Sequence, residues 1–531
     1  MSSIPRAINA PRLLAYLAGR ELPKLRDQHF TSLTATRNTL GKFLGKEILP
    51  HVKKWEETGS YMEGGKVRAD NLASTLSKLS NLGLLGISVP EELGGAGLPY
   101  HDSYSVVQML AKVWPALAVT VCVNQSVEDA ISKFGFPSQK RDILSSLAER
   151  GLGAIAITEP QAGSDVSGIR TFARKEGDKY VLNGSKIFIT SAGLADVYLT
   201  FALTDSGRGD GKKISAFLVG KNAPGFSIGS LEHKLGQKSS PTGEIVFEEC
   251  ALPEEMMLGK PGEGMKILYH LLSGGRIGIA SLAQGIAEAA YETAAEYAQQ
   301  RKQFGQPIGN FPEIKDMLAQ MKYFVHASEV LIKYAAYLKD NFYTEAEDIN
   351  AVVTAASMAK YYASEKGKIV AANALQIHGG NGYSIEYPLG RYLNDIAVTS
   401  IYEGTSQIQK YIIGKHLPLF VNSIVETEKT IDLFFADRPS IAGHEEEIGM
   451  IYDAMNEAKK ELQRAINDHD ISYHDSILLT DYMVARLMML KTALLANHDG
   501  VSREGVEENL AETVLAAKFL GLTLDSYRIF K

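Results

Sequence analysis

The stretch Ile401-Tyr402-Glu403-Gly404-Thr405-Ser406-Gln407-Ile408-Gln409-Lys410 sets a carboxylate between an aromatic ring and a glycine, just before a threonine able to cap a helix. A carboxylate at such a junction can act as a general base. The same residues also make an ordinary loop-to-helix turn, so its companions must decide. Ile155-Ala156-Ile157-Thr158-Glu159-Pro160-Gln161-Ala162-Gly163-Ser164-Asp165 joins an apolar strand to a loop of hydroxyls, small residues and backbone donors. Such a loop can approach a phosphate or a flavin edge, or simply turn into a β domain.

Phe188-Ile189-Thr190 sets an aromatic face beside a hydroxyl, which suits a flat heterocycle as well as it suits a buried strand. Arg301-Lys302-Gln303-Phe304-Gly305 closes a helical stretch with cations that fit a helix C-terminus or a phosphate. Gln376-Ile377-His378-Gly379-Gly380-Asn381-Gly382 permits close backbone approach to a ligand, but no strand precedes it, so it is not a Rossmann fingerprint. His378 reads as a packed or hydrogen-bonding residue rather than an acid or base. There is no zinc-ligand set and no nucleophile elbow, and no metal is expected.

The elements that must position these residues follow from hydrophobic period. Leu72, Leu76, Leu79 and Leu82, then Ile131, Phe134, Ile143 and Leu147, recur at helical spacing, so residues 35–150 are expected to form a helical domain after a basic segment over 1–34. Residues 151–262 carry short β-branched and aromatic runs at Tyr180–Leu182, Ile187–Thr190, Val197–Phe201, Ile214–Val219 and Ile245–Phe247, with Asn183-Gly184 as a type I′ hairpin signal. From 263 to 416 the period is helical again, with a small-residue stripe of Ile277, Ala280, Ala283, Ala287 and Ala290 and helices near 312–340 and 345–375. Residues 417–531 add helical stripes at Ile448, Ile451, Met455, Ala458, Leu462 and Ile466 and at Ile477, Leu487, Leu490 and Leu494. The fold class expected is α+β: an N-terminal helical bundle, a middle antiparallel β-barrel, a C-terminal four-helix bundle and an extra helical domain.

The 531 residues exceed one ordinary core, and 45% hydrophobic with 22% charged residues is globular composition. A net charge of −7 with mixed signs gives no nucleic-acid surface. The two cysteines, Cys122 and Cys250, have neither disulfide nor redox spacing and suit a reducing compartment. No apolar run is long enough to span a bilayer. Arg6, Arg12 and Arg20 with Leu13, Leu14 and Leu17 suggest either a transit peptide, hence a mitochondrial location, or a basic amphipathic surface helix in a bacterial cytoplasmic protein that touches membrane peripherally.

Thr158-Glu159-Pro160-x-Ala162-Gly163-Ser164-Asp165, Asn183-Gly184-x-Lys186-x-Phe188-Ile189-Thr190, Gly275-Arg276, Arg301-x-Gln303-Phe304-Gly305, Gln376-x-x-Gly379-Gly380-x-Gly382 and Tyr402-Glu403-Gly404-Thr405 together resemble the acyl-CoA dehydrogenases over residues 35 to 415. The C-terminal helices are most similar to the very-long-chain branch. The resemblance implies FAD between the β domain and the second bundle. Ile155, Ala156, Ile157, Thr158 and Ser164 would line it, with Phe188, Ile189 and Thr190 beside the ring. Arg301, Phe304, Gln376, Ile377, His378, Gly379 and Gly380 would reach the FAD of a second copy in a homodimer, and Thr405 and Gln407 would complete the site. Ser164, Ser273, Arg276, Tyr402 and Gly404 would meet acyl-CoA.

In this scheme Glu403 removes the α-proton of the thioester, hydride passes to flavin N5, and a trans-2-enoyl-CoA is released in fatty acid β-oxidation. Some branches place the base just before the arginine of the preceding helix, but that position is Gly275. An electron-transfer flavoprotein is the expected acceptor; an acyl-CoA oxidase or a non-catalytic assembly scaffold are the alternatives on this fold. Small residues over Ala116–Cys122 give room for medium-to-long acyl chains, or else serve a close helix crossing.

Overall fold

The computed structural model describes residues 37–205, 211–342, 346–418, 444–468, 471–496 and 503–530. The basic segment 1–34 lies outside them. The described chain forms two compact units, Thr36–Ile286 with Gly390–Thr399, and Ala287–Leu389 with Ser400–Lys531.

The first unit begins as helices. Leu72, Leu76 and Leu79 bury one face of the helix Asp70–Asn81, whereas Leu82 lies past its end and is 41% exposed. The mostly helical expectation for this region does not include a short antiparallel hairpin, Tyr61–Glu63 against Lys66–Arg68. Its two-residue turn is Gly64-Gly65, both at positive φ, which only glycine adopts freely. Helix α1 (Tyr100–Val113) packs on α2 (Pro115–Phe134), which starts with proline at its first turn. Nearly all of α2 is buried, from Pro115 through Glu128.

The β domain is an eight-stranded sheet. Its strands are β1 (Gly153–Ala156), β2 (Phe172–Glu176), β3 (Lys179–Thr190), β4 (Val197–Asp205), β5 (Lys212–Gly220), β6 (Phe226–Leu231), β7 (Thr242–Pro253) and β8 (Met257–Leu258). The order is β8-β5-β4-β2-β3-β7-β6, with β1 on β4. Most pairs are antiparallel, but β1 and β2 run parallel to β4. Asn183-Gly184 is not a hairpin turn: the runs around it form the single strand β3, and the residues make a bulge in its pairing with β7. A Cβ on Gly184, at φ +142°, would stand 2.6 Å from Thr171 Oγ1. Glycine here admits close backbone approach, and the real β2–β3 turn is at Gly177-Asp178. The core splits by strand face: Ala154, Ala156, Leu182, Ile189 and Phe247 pack in one cluster, and Leu199, Phe201 and Leu218 with α2 residues Val127 and Ile131 in another.

Helix α3 (Gly264–Gln300) carries the buried small-residue stripe. A Cβ on Gly278 would lie 2.3 Å from Cys122 Sγ of α2, and one on Gly285 2.3 Å from the Gln108 carbonyl of α1. Both glycines let α3 approach nearer than any side chain would allow.

In the second unit α4 (Pro312–Phe342) pairs with α5 (Ala346–His378), and α6 (Ser406–Lys415) lies on α5. Helices α7 (Glu445–Asn467), α8 (Tyr473–Ala496) and α9 (Arg503–Phe530) pack on one another and α8 reaches α4 and α6. Ile451, Met455, Ala458 and Leu462 bury one stripe of α7, closed by Ala465 rather than by the partly exposed Ile466. Along α8 the expected narrow stripe widens: Leu478, Leu479, Tyr482, Met483, Val484 and Ala485 are all buried, the mark of a central helix. Among the described residues no helix is long and apolar enough to cross a membrane.

Candidate active site

In the first unit, β1 leads into Thr158 and a buried ion pair pins that loop to β3. Lys186 donates from Nζ to Glu159 Oε1 at 2.6 Å and to the Ile157 carbonyl at 3.0 Å, with its side chain fully buried. Glu159 also accepts from the Arg170 and Thr171 amides and from Gln161 Nε2. Burial alone would raise this carboxyl; the donors of Lys186, Thr171 and Arg170 outweigh it and bring it down to about 2. Burial pushes the Lys186 ammonium down to about 8, although Glu159 opposes the shift. We take the pair to be ionised at neutral pH, because every Glu159 oxygen is met by donors.

The Ile187 amide donates to the Thr158 carbonyl at 2.9 Å, so Thr158 and the Phe188–Thr190 segment lie side by side. Phe188 takes φ +58° at a bulge between Lys186 and Ile189, and Ser191 takes φ +67°. The twist turns the Phe188 ring outward, 58% exposed, while Ile189 drops into the core at 2%. Ala156 is likewise fully buried, so it and Ile189 can offer a ligand only backbone. Ile155, Ile157, Thr158 and Thr190 are partly exposed, and Ser164 is exposed. One residue past Thr190, the buried Ser191 hydroxyl finds no hydrogen-bond partner among the described residues. An outward ring, adjacent hydroxyls and an unsatisfied donor fit the edge of a flat, polar-rimmed cofactor such as FAD.

On α3, Ser273 is fully buried and donates its hydroxyl to the His270 carbonyl on its own helix at 2.7 Å, while Arg276 is 4% exposed. His270 pairs through Nε2 with Asp129 Oδ2 at 2.8 Å.

In the second unit the helix-end cluster forms a hairpin. Lys302–Gln303 pairs with Gln306–Pro307 around Phe304-Gly305, both at positive φ, and Phe304 is 93% exposed. Sequence reading missed this turn because helix ends and cations dominate the pattern. Tyr297, one turn before Arg301, stacks on His378 at 4.1 Å and its hydroxyl accepts from Asn381 Nδ2 at 2.9 Å. The glycine-rich segment is thereby fixed beside the end of α3, just before Arg301. Gln376, Gly379 and Gly380 are exposed and Ile377 is buried. The buried His378 donates from Nδ1 to the Ala374 carbonyl at 2.8 Å, and burial lowers its pKa.

Glu403 stands at φ +54° and Gly404 at φ +93°. A non-glycine residue in this region is strained and persists only where its surroundings over-determine it. Gln409 Nε2 donates to the Glu403 carbonyl at 3.2 Å and to the Gly404 carbonyl at 2.8 Å. Lys360 Nζ, from α5, donates to the same Gly404 carbonyl at 2.7 Å. Thr405 caps α6 by accepting from the Ile408 amide, Ser406 donates to Glu365 Oε1, and Gln407 is exposed. Tyr402 and Gly404 are partly exposed on either side of the carboxylate. Lys360 and Gln409 were not foreseen as site residues. The available signal was a lysine at a helical position flanked by Ala356 and Ala363, a face that is otherwise apolar.

Three family models match in chain order: the acyl-CoA dehydrogenase N-terminal domain over 32–151, the middle domain over 154–250 and the C-terminal domain over 262–417. An acyl-CoA dehydrogenase of Bacillus subtilis is 42% identical over 385 residues, 72% of this chain and 96% of that protein. The structure of butyryl-CoA dehydrogenase from Megasphaera elsdenii matches with TM-score 0.67 and 38% identity, covering 72% of this chain and 97% of that one. An acyl-CoA dehydrogenase complexed with FAD from Bacillus anthracis matches with TM-score 0.81 and 25% identity over 96% of this chain and 90% of its own, so it includes the C-terminal helices. The chain belongs to the acyl-CoA dehydrogenase family of FAD-using oxidoreductases.

Proposed function

We propose that the protein oxidises the Cα–Cβ bond of short-chain acyl-CoA thioesters, with Glu403 as the base that takes the α-proton. The observation that carries this is the strained φ of Glu403 held by bonds to its own carbonyl and the next, from Gln409 and Lys360. These bonds fix the main chain from which the Glu403 carboxylate projects, as a positioned base requires.

FAD, when bound, supplies the hydride acceptor. Thr158, Ser164, Phe188, Thr190 and the backbone of Ala156 and Ile189 would hold its ring side; Thr405 and Gln407 would hold its dinucleotide end. Ser273, Arg276, Tyr402 and Gly404 would orient the thioester. Lys186 and Glu159 keep the β1 loop and β3 in register, so that the ring side is built before substrate arrives. Phe304, at the tip of a two-residue turn and 93% exposed, supports the reading that the hairpin meets a second copy.

A short-chain preference replaces the medium-to-long one expected from the small residues of α2. One of them, Cys122, meets α3 at Gly278, where an added Cβ would stand 2.3 Å from its Sγ, which supports a close helix crossing there. The butyryl-CoA specificity named for the Megasphaera structure supports the same reading. The very-long-chain branch then describes only the possession of a C-terminal extension. Electron-transfer flavoprotein is the proposed acceptor.

The test is anaerobic bleaching of bound flavin by butyryl-, octanoyl- and palmitoyl-CoA. Butyryl-CoA should bleach fastest, and Glu403→Gln should retain FAD while bleaching at least about a thousandfold more slowly. Bleaching of that variant at the normal rate removes Glu403 as the base. A palmitoyl-CoA optimum restores the long-chain reading, and stoichiometric peroxide with oxygen as sole acceptor makes the enzyme an oxidase.

A further inference from the structure

The C-terminal extension grips the helix that presents Glu403. Helix α6 begins with the Thr405 cap directly after Glu403-Gly404, and its Gln409 ties both carbonyls of that strained pair. The next residue is Lys410. Its carbonyl accepts from Ser476 Oγ of α8 at 2.6 Å, and its Nζ lies 4.6 Å above the Tyr473 ring. One turn on, a Cβ at Gly414 would sit 2.8 Å from Ser476 Oγ and 3.5 Å from an Ile471 methyl, so α6 and α8 touch backbone to side chain.

The grip has its own foundation. Ser476 and Asp475 are fully buried, and Asp475 caps the start of α8 by accepting from the Ser472 amide at 2.6 Å. The far end of the extension is anchored on α4, where Phe519 stacks on Tyr323 at 5.1 Å and Glu512 meets His326 Nδ1 at 2.6 Å.

We infer that the C-terminal helices are a positioning element for the reaction: through Ser476 and Tyr473 they fix Lys410, hence Gln409, and hence the strained main chain of Glu403. The α5 side of this clamp, Lys360, belongs to the core of the chain, whereas the α8 side exists only because of the extension. A helix carrying a strained catalytic residue needs restraint along its length, since a misplacement of about 1 Å at the reacting group can cost on the order of a hundredfold in rate. Tyr473 and Ser476 touch neither substrate nor cofactor in this scheme and act only through α6. The inference rests on the reading of Glu403 as base for its kinetic consequence, but not for its mechanical one.

The test uses the full-length, FAD-loaded protein with Ser476→Ala, Tyr473→Leu, the two together, Gly414→Ala, and Ser476→Thr as the conservative rescue. Two quantities are read: amide hydrogen exchange over residues 402–415 without substrate, and the anaerobic rate of flavin reduction with KM. The double variant should exchange about tenfold faster over this segment and reduce flavin about tenfold more slowly, with KM within about twofold and FAD content unchanged. Gly414→Ala should act in the same direction, and Ser476→Thr should keep both quantities near wild type. Unchanged exchange overturns the grip. Faster exchange with a wild-type reduction rate overturns the positioning role. If the wild-type protein itself reduces no flavin with any acyl-CoA, the assignment of Glu403 fails, and the exchange result alone decides whether the extension holds α6.

Discussion

Two glutamates, Glu159 and Glu403, stand in motifs of similar look, each followed by a turn of small and hydroxyl residues, yet the protein treats them in opposite ways. Around Glu159 the chain converges on the carboxylate: a buried ammonium, two backbone amides and a side-chain amide. Around Glu403 it converges on the main chain, with Gln409 and Lys360 taking the carbonyls of a backbone bent into the left-handed region. The first arrangement spends the charge on building a scaffold. The second holds the main chain of the proposed base in a strained conformation.

That contrast can be broken at several points, and the largest effect should come from the ion pair. Lys186→Met leaves Glu159 buried without its counter-charge, and loss of one partner of a buried pair costs about 3–5 kcal/mol. Thermal unfolding should drop steeply, and most of the loss should return in Lys186→Met/Glu159→Gln; no drop would mean that the pair is not structural. Gly404→Ala comes next. It strains a φ of +93° and sets a methyl 2.7 Å from Gln409 Nε2, so the flavin reduction rate should fall about tenfold with little change in melting temperature. Equal activity would show that Gln409 does not hold the loop.

The pH dependence is smaller and has a defined sign. The Glu159 carboxyl sits at about 2 in the folded protein against 4.5 as reference, so its stabilisation is present above about 4.5 and is lost as pH falls toward 2. Urea unfolding between those limits should flatten in Glu159→Gln, and an unchanged slope would contradict the linkage. The smallest effect should come from Asp395, buried and raised to about 7 by desolvation and by Glu56. A raised acid stabilises at low pH and loses that contribution as pH climbs through 7. Asp395→Asn, which can still accept from the Gln237 amide, should therefore be slightly more stable than wild type above pH 7 and not below pH 4.

Much of the fold was legible because long elements carry a clear hydrophobic period: the helical, β, helical order and the long helices near 312–340 and 345–375 all follow from it. The Thr405 cap at the start of α6 was legible too, because a helix cap has a local signature. Asn183-Gly184 was not, since the same dipeptide serves a two-residue turn or a bulge, and the close approach of Thr171, just before β2, goes with the bulge. The small residues of α2 suit an acyl pocket or a close helix crossing, and the meeting of Cys122 with Gly278 of α3 is long-range in sequence. Lys360 and the grip of Ser476 on Lys410 are long-range in sequence, and no local pattern encodes which carbonyl a buried lysine or serine will find.

The most direct test sets the two glutamates side by side. FAD content, melting temperature and the anaerobic rate of flavin reduction per bound FAD are measured for Glu159→Gln and Glu403→Gln with butyryl-CoA. Glu403→Gln should melt within a few degrees of wild type, keep its FAD and lose reduction at least about a thousandfold; Glu159→Gln should melt far lower and lose FAD, while whatever FAD remains is reduced within about tenfold of the normal rate. If instead Glu403→Gln reduces flavin normally, or Glu159→Gln abolishes reduction at full FAD occupancy and unchanged stability, the division between a scaffold carboxylate and a reactive one is wrong.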